Sequence, residues 1–479
     1  MLKQGGQWLL GATVLLGVVT ALPSPPAFVH EAELVPLTTD AKATLAVLAF
    51  AVVLWVTEAL PFPVTALSVM VLLPALGVSS FSTVVGEGFG HPIIAFLIGI
   101  LILAAGFSHS GLGVRLVLAV LRLVGTRTDR VLLGFLFVGA LLSMWLNDLA
   151  AAALLLPLGV GVLEDAGLRR LESNFGRALM IGCAFGPLIG GVATPAGTGA
   201  NQVTMGYLHD MAGVELSFLD WMAFGLPATV LMIPCAWRLL LWVFPPEIER
   251  LPIEVSELRR RQETMGALSA IERRTLTIFG ATILTWLSTP LLAALTDGRV
   301  EPSMHAVALA GGLAMFLPGV RVLSWKTAQQ EIQWGGILLV AAGLALGVSV
   351  FETGAARWIG LGLLTPLSQV PTVAQPFVVV VVVSAMHLLF ASNTVTATVI
   401  LPILIALAVD LGLSPLAIAV PAGFASSLAF ILVTESPANV ILYSGGYFSI
   451  RDMARAGVWM TLAAAVCVTL AVTLVRMML

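Results

Sequence analysis

Two short polar runs interrupt otherwise apolar stretches: Asn147-Asp148-Leu149 within 131–163 and Ser392-Asn393-Thr394 within 376–410. Two further breaks lie downstream of them. One is the glycine-rich Gly190-Gly191-Val192-Ala193-Thr194-Pro195-Ala196-Gly197-Thr198, the other Glu435-Ser436-Pro437-Ala438. Short hydroxyl and amide side chains, together with backbone carbonyls freed where a helix stops, suit a hard monovalent cation. The N-termini of half-helices suit an anion. Ser392-Asn393-Thr394 opens the second arm of its segment, where unsatisfied N–H groups gather. No HExxH, no GxSxG and no paired histidine–carboxylate ligands within one helix occur, so these residues point to ion and anion handling and away from a membrane-embedded enzyme.

The elements that must position these residues are membrane helices. Of 479 residues 59% are apolar and 10% charged, with a mean hydropathy of +1.03; soluble domains carry about 25% charged residues. Apolar spans fall near 8–22, 41–60, 64–79, 93–122, 175–192 (continuing past a break to 212), 218–243, 275–296, 304–320, 332–351, 416–433 and 455–478. Each approaches the length of about 20 residues that crosses a bilayer core. The interrupted segments 131–163 and 376–410 read as re-entrant hairpins, because non-helical backbone at that depth is tolerated only inside protein or beside a water-filled cavity. The run after Lys3 reads as a first membrane helix; a secretory signal ending near Ala21-Leu22-Pro23-Ser24 is the alternative. The net charge of −3 gives no reason to expect a nucleic-acid partner. Cys183, Cys235 and Cys467 are scattered through apolar stretches and read as small core or lipid-facing residues rather than disulfides or metal ligands.

Basic residues sort to one set of loops, including Lys3, Arg127, Arg130, Arg169, Arg170, Arg259, Arg260, Arg261, Arg321 and Arg451, while the other set keeps Lys42, Arg299, Arg357 and Arg476. By the positive-inside rule the N-terminus lies in the cytoplasm and the C-terminus outside the cell membrane. A charged linker, 245–274, then separates two halves, 1–244 and 275–479. The halves repeat. Aligning Asp148 with Asn393 places Pro157 and Pro402 nine positions on; Thr198-Gly199-Ala200-Asn201 matches Ser436-Pro437-Ala438-Asn439, and Ser110-Gly111 pairs with Thr353-Gly354. Because the two hairpins open on opposite faces, the repeat is inverted, and its paired helix interruptions mark a transporter's binding site. A channel has no need of two mirrored half-sites.

At these residues the chain resembles the divalent anion/sodium symporters, which include bacterial dicarboxylate transporters and human citrate and sulfate carriers. Trp55-Val56-Thr57-Glu58-Ala59-Leu60-Pro61 is similar to the family's WxTEAxP segment, and Ser392-Asn393-Thr394 is its SNT signature. Ile189 to Asn201 resembles the GGxATxxGTxxN break, and Glu331-Ile332-Gln333-Trp334-Gly335 the ExxWG segment. The resemblance implies an all-α polytopic fold of about eleven transmembrane helices plus two hairpins in an inverted repeat. It also implies a homodimer, and an elevator movement of a transport domain against a scaffold, each drawn from both halves. By position, one cation site uses Asn147, Asp148 and Gly197, and the other Ser392, Asn393 and the backbone near Glu435. Substrate contacts fall to Asn147, Asp148, Thr198, Ser392, Asn393, Thr394 and Ser436. The expected function is secondary transport of a small anion, a di- or tricarboxylate above all, coupled to Na⁺ or H⁺. No catalytic residue and no cofactor beyond the coupling ion is expected. Cation-independent anion exchange, or sulfate or monoanion transport on the same fold, are the alternatives.

Two departures stand out. The first hairpin has Asn147-Asp148-Leu149 where the family has SNT, and Glu435 replaces an alanine at the last break. An isolated carboxylate at the bilayer centre costs about 3 kcal/mol. Asp148 and Glu435 are therefore protonation sites, charged ligands for the cation, or structural groups with partners of their own. His109 and His387 read as packing residues at membrane depth, Glu58 as part of a turn, and His209-Asp210 as a solvated helix end.

Overall fold

The computed structural model describes residues 2–25, 27–30, 33–252, 266–363 and 369–478. In chain order the helices are α1 (Leu2–Ala21), α2 (Thr39–Thr57), α3 (Phe62–Ala75), α4 (Phe81–Gly88), α5 (Pro92–Ser110), α6 (Leu112–Val124), α7 (Thr128–Leu146), α8 (Asp148–Asp165), α9 (Asn174–Gly191), α10 (Gly199–Ala212) and α11 (Phe218–Val243). They continue as α12 (Ala270–Leu295), α13 (Met304–Ala314), α14 (Trp325–Glu331), α15 (Trp334–Glu352), α16 (Ala355–Leu363), α17 (Gln375–His387), α18 (Asn393–Asp410), α19 (Pro415–Ala425), α20 (Pro437–Tyr443) and α21 (Ile450–Met478). The membrane part is all-helical as expected, and a short two-stranded antiparallel ribbon, Phe28–His30 with Glu33–Val35, follows α1.

Eight of these helices (α2, α5, α7, α11, α12, α15, α18 and α21) are long and apolar enough to cross a membrane. Helices are the form expected there, since every backbone group must be satisfied without water. The surface of α12 is apolar, with Leu284 67% and Leu291 61% exposed, as a lipid-facing helix should be; α9 and α18 are enclosed by protein. The expected span 93–122 is not continuous. It breaks at Gly111 (φ 83°), and Gly354 (φ 78°) makes the matching break between α15 and α16. The span expected over 304–320 holds helix only to Ala314. Glu58 stands at the C-terminus of α2 with φ 50°, the turn role expected of it.

The chain forms two compact units. The first comprises Met1–Ile94, Gly199–Leu216 and Trp334–Ser426. In it α1 packs on α2 through Ala12, Phe50 and Leu54, and α10 lies against α15 and α18. The buried Tyr207 hydroxyl of α10 donates to the Gly343 carbonyl of α15 at 2.5 Å, which fixes the register of those two helices. The second comprises Ala95–Thr198, Ser217–Gln333 and Ser427–Leu479. Its centre is the pairing of α7 with α9; α11 packs on both, and α21 packs on α11.

The expected linker is anchored at both ends. Leu251 N–H donates to the Thr126 carbonyl at 2.8 Å, and the Glu247 carboxylate accepts from the Ser173 hydroxyl and from Phe175 N–H at the start of α9. At the far end Arg115 holds Glu272 through two bonds of 2.8 and 3.2 Å and also reaches the Gly266 carbonyl. The central part, with Arg259, Arg260 and Arg261, lies outside the described residues.

Candidate functional site

The first hairpin lies wholly in the second unit. Its two arms, α7 and α8, are separated by one residue, Asn147, with φ 90° and ψ 159°. A one-residue reversal demands a backbone conformation that is nearly glycine's alone. Asparagine tolerates positive φ better than other side chains, and here its Oδ1 also accepts from Ala150 N–H at 2.9 Å, capping α8. Asp148 is the first residue of that helix, and its Oδ1 accepts from Leu149 N–H at 2.9 Å. A carboxylate at a helix N-terminus sits where the helix dipole favours negative charge. The proline shared by the repeat, Pro157, lies inside α8.

The glycine-rich break follows α9 in the same unit and is tied down in detail. Gly190 packs so closely on α7 that a Cβ would lie 2.1 Å from the Ala140 carbonyl, so only glycine fits. The Thr194 hydroxyl donates to the Met144 carbonyl in the last turn of α7 and accepts from Ala196 N–H at 3.1 Å. Carbonyls that α9 leaves near its end are taken up by α11: the Trp221 indole donates to Val192 at 3.0 Å and the Thr229 hydroxyl to Ile189 at 3.0 Å. The chain leaves the break at Gly197 and Thr198. Thr198 Oγ1 accepts from the Ser427 hydroxyl at 3.4 Å, both groups buried.

The last break completes this unit. Glu435 is 3% exposed, and its two carboxylate oxygens accept from Leu432 N–H at 2.8 Å and Ile431 N–H at 3.2 Å. Ser436 caps α20, accepting from Ala438 N–H at 3.4 Å. The buried Asn439 amide donates to the Ala429 and Leu432 carbonyls at 2.7 and 3.3 Å. The Glu435 carboxylate thus has two backbone amides as partners.

The second hairpin belongs to the first unit. Its arms, α17 and α18, are joined by Leu388–Ser392 rather than by one residue. Ser392 caps α18, accepting from Val395 N–H at 3.4 Å, so the aligned residues Asn147 and Ser392 do the same local work. Asn393 is buried in the first turn. The Thr394 hydroxyl approaches Gly199, where a Cβ would stand 2.6 Å from its Oγ1; the second hairpin thus meets the start of α10. Asn201 and Asn439 hold the same place, the third residue of α10 and of α20.

Sequence reasoning passed over Thr194, Ser427, Trp221 and Thr229, whose partners are backbone carbonyls or another hydroxyl and carry no spacing signal. His109 is not a packing residue: its side chain is 44% exposed at the end of α5, 3.8 Å from the Glu331 carboxylate. His209-Asp210 is more than a solvated helix end, because Asp210 also faces His91 at 3.4 Å. All three cysteines are free thiols, and Cys235 and Cys467, far apart in sequence, bring their Sγ atoms within 3.8 Å. A pocket near the first hairpin, lined by Ile100, Leu103, Trp145, Ala196, Phe279 and Trp286 among others, has no charged side chain and does not suit an anion.

Known proteins carry the same pattern. The model of the family described as sodium:sulfate symporter transmembrane region matches residues 8–479. The sodium-dependent dicarboxylate transporter SdcS of Staphylococcus aureus is 30% identical over 436 residues, covering 87% of this chain and 82% of that protein. Its counterpart in Staphylococcus saprophyticus is 30% identical over 438 residues, 87% and 83%. Among solved structures, the Alcanivorax borkumensis YdaH transporter (TM-score 0.56, 16% identity, 98% and 96% covered) and Neisseria gonorrhoeae MtrF (0.60, 13%, 98% and 94%) share the fold. With a family match over nearly its whole length and 30% identity to transporters along most of it, the chain belongs to the sodium:sulfate symporter family.

Proposed function

We propose that the chain is a sodium-coupled symporter of a small dicarboxylate. The observation that carries this reading is the paired construction of the hairpins: aligned residues, Asn147 and Ser392, each cap the second arm, so that each hairpin offers a helix N-terminus beside oxygen-bearing side chains. Helix N-termini attract an anion's charge, and freed carbonyls with amide and hydroxyl oxygens suit Na⁺. Support for sodium and for a dicarboxylate comes from the staphylococcal relatives, whose names carry both. Asn147, Asp148 and Gly197 hold one cation and Ser392 and Asn393 the other, with Asn147, Thr198, Asn393, Thr394 and Ser436 contacting the substrate. Asp148, the first residue of α8, serves as a charged cation ligand. Glu435 is a brace for the loop before α20.

The same reading has the protein in the cell membrane as a homodimer, N-terminus in the cytoplasm and C-terminus outside. Transport and scaffold domains, each drawn from both halves, work by an elevator movement; the resemblance of the repeat motifs supports these points. The test is binding to purified protein. Succinate raises the unfolding temperature only when Na⁺ is present, and citrate or sulfate less so. Stabilisation by succinate that is equal in Na⁺ and in choline would refute the coupling.

A further inference from the structure

The end of α10 remote from Gly199 carries a cluster outside the residues assigned to the ions and the substrate. Gly88, the last residue of α4, comes so close to α15 that a Cβ would lie 2.7 Å from the Ala341 carbonyl, and Gly206 of α10 is equally tight against Leu344 of α15 and Ile93 beyond α4. Helices packed this closely gather polar side chains at their ends. His209 Nδ1 lies 2.8 Å from Asp210 Oδ1, and His91 Nε2 lies 3.4 Å from that same oxygen. His209 Nε2 is 3.4 Å from Glu215, and the two imidazole rings meet edge-on with centroids 6.2 Å apart. Glu87 of α4 faces Asp210 and the Glu352 carboxyl at the end of α15.

One ligand atom from each of His91, His209 and Asp210 falls within 4.8 Å of the others, which invites a metal ion. The hydrogen bond behind His91 argues otherwise. Ile93 N–H donates to His91 Nδ1 at 3.2 Å, so in the neutral ring the single proton is on Nε2, facing Asp210. A metal at Nε2 would need that lone pair and would move the proton to Nδ1, against the Ile93 N–H. The ring turns its Nε2 proton toward the Asp210 carboxylate, 3.4 Å away.

We propose that Glu87, His91, Asp210 and His209 form a proton-binding lock that fastens α4 and its following turn to the end of α10, tight on the acid side of neutrality and loose on the alkaline side. The charges run the right way, and the groups lie outside the helices long and apolar enough to cross the membrane. The hydrogen bond to Asp210, and then its charge and that of Glu215, hold the His209 value above the ordinary one. Burial, then the Glu352 and Asp210 carboxyls, push Glu87 up to about 7. Burial raises Asp210 too, but the His91 and His209 bonds outweigh it and leave the carboxyl below the usual range. The stabilisation from His209 is thus full below its unfolded value and lost as pH rises through its raised one. Glu87 is neutral below about 7 and above it takes a charge facing two other carboxyls. Raising the pH through neutrality therefore removes one positive charge and adds one negative. Other groups do not offset this: α3 and α19 carry no ionisable side chain, Glu352 is α15's own contribution, and Asp410 of α18 pairs with Arg357 at 3.4 Å.

The test is the unfolding temperature of the purified protein across about pH 5 to 8, a window that spans the ordinary and the raised carboxyl values and the imidazole range, with no transport needed, so it stands apart from the symport reading. The parent loses stability as pH rises. Glu87→Gln, a match in shape for the neutral acid, comes closest to the parent near pH 5 and gains on it as pH rises to about 7, because over that range the parent's acid is ionised when unfolded but neutral when folded. His209→Gln falls below the parent at pH 6, and the gap narrows as pH rises and the imidazole loses its proton. Each single variant flattens part of the parent's fall, Glu87→Gln on its acid side and His209→Gln nearer neutrality, and the double variant removes nearly all of it. Single variants that retain the parent's full slope would overturn the lock. So would stabilisation by Zn²⁺ that His91→Gln abolishes, since that would make the cluster a metal site.

Discussion

Replacing Asn147 by glycine separates what this residue does for the fold from what it does for ions. At φ 90° and ψ 159° a side-chain-bearing residue carries a strain of about 1–3 kcal/mol that glycine does not. Losing the cap bond to Ala150 costs a few tenths of a kcal/mol when glycine replaces asparagine, and about 1 kcal/mol when alanine does. Asn147→Gly should therefore be as stable as the parent or more so by about 1 kcal/mol, and Asn147→Ala less stable by about 1–2 kcal/mol. Both variants lose the amide oxygen proposed for Na⁺. If that oxygen is a cation ligand, the apparent sodium affinity of the glycine variant falls about tenfold, equivalent to 1.4 kcal/mol, while its unfolding temperature does not fall. The assay is the sodium concentration giving half-maximal succinate uptake into proteoliposomes, alongside thermal unfolding in detergent. A glycine variant that unfolds earlier than the alanine variant would refute the strain argument. One that is stable and keeps the parent's sodium dependence would reduce Asn147 to a cap.

Asp148→Asn removes a charge beside the proposed cation, and the coulombic term at 4 Å is about 4 kcal/mol for an effective dielectric of 20. After hydration of the empty site is allowed for, we expect sodium affinity to weaken ten- to a hundredfold, read from the same uptake curve; an unchanged curve would exclude Asp148 as a ligand. Glu435→Gln keeps one acceptor oxygen and turns an NH₂ toward the Ile431–Leu432 amides, which should cost about 2 kcal/mol and lower the unfolding temperature with little change in sodium affinity. A large loss of sodium affinity at full stability would instead make Glu435 part of the cation site.

Much of this architecture was legible from residue types alone. The hairpins at 131–163 and 376–410 declared themselves because a polar trio inside an apolar run can exist at depth only where helices end, and the helices do end there. The paired breaks at Gly111 and Gly354 were found as repeat partners, and both carry positive φ. What the residues could not convey was how each break is satisfied. The one-residue turn at Asn147 and the five-residue turn at Leu388–Ser392 come from hairpins that align well, because the difference lies in backbone angles and not in side-chain chemistry. Glu435 stood open among protonation site, cation ligand and structural group; that its oxygens accept from the amides of Ile431 and Leu432 is a local bond invisible to hydropathy. The His91–Asp210 contact was hidden for the opposite reason: it joins residues far apart in sequence through the close packing of α4, α10 and α15.

Sodium coupling is the central claim, and uptake of labelled succinate into proteoliposomes tests it most directly. An inward Na⁺ gradient at equal pH on both sides should drive accumulation above equilibrium. A proton gradient with Na⁺ absent should drive none. Accumulation driven by the proton gradient alone, or exchange of internal for external succinate that no cation gradient alters, would contradict the account.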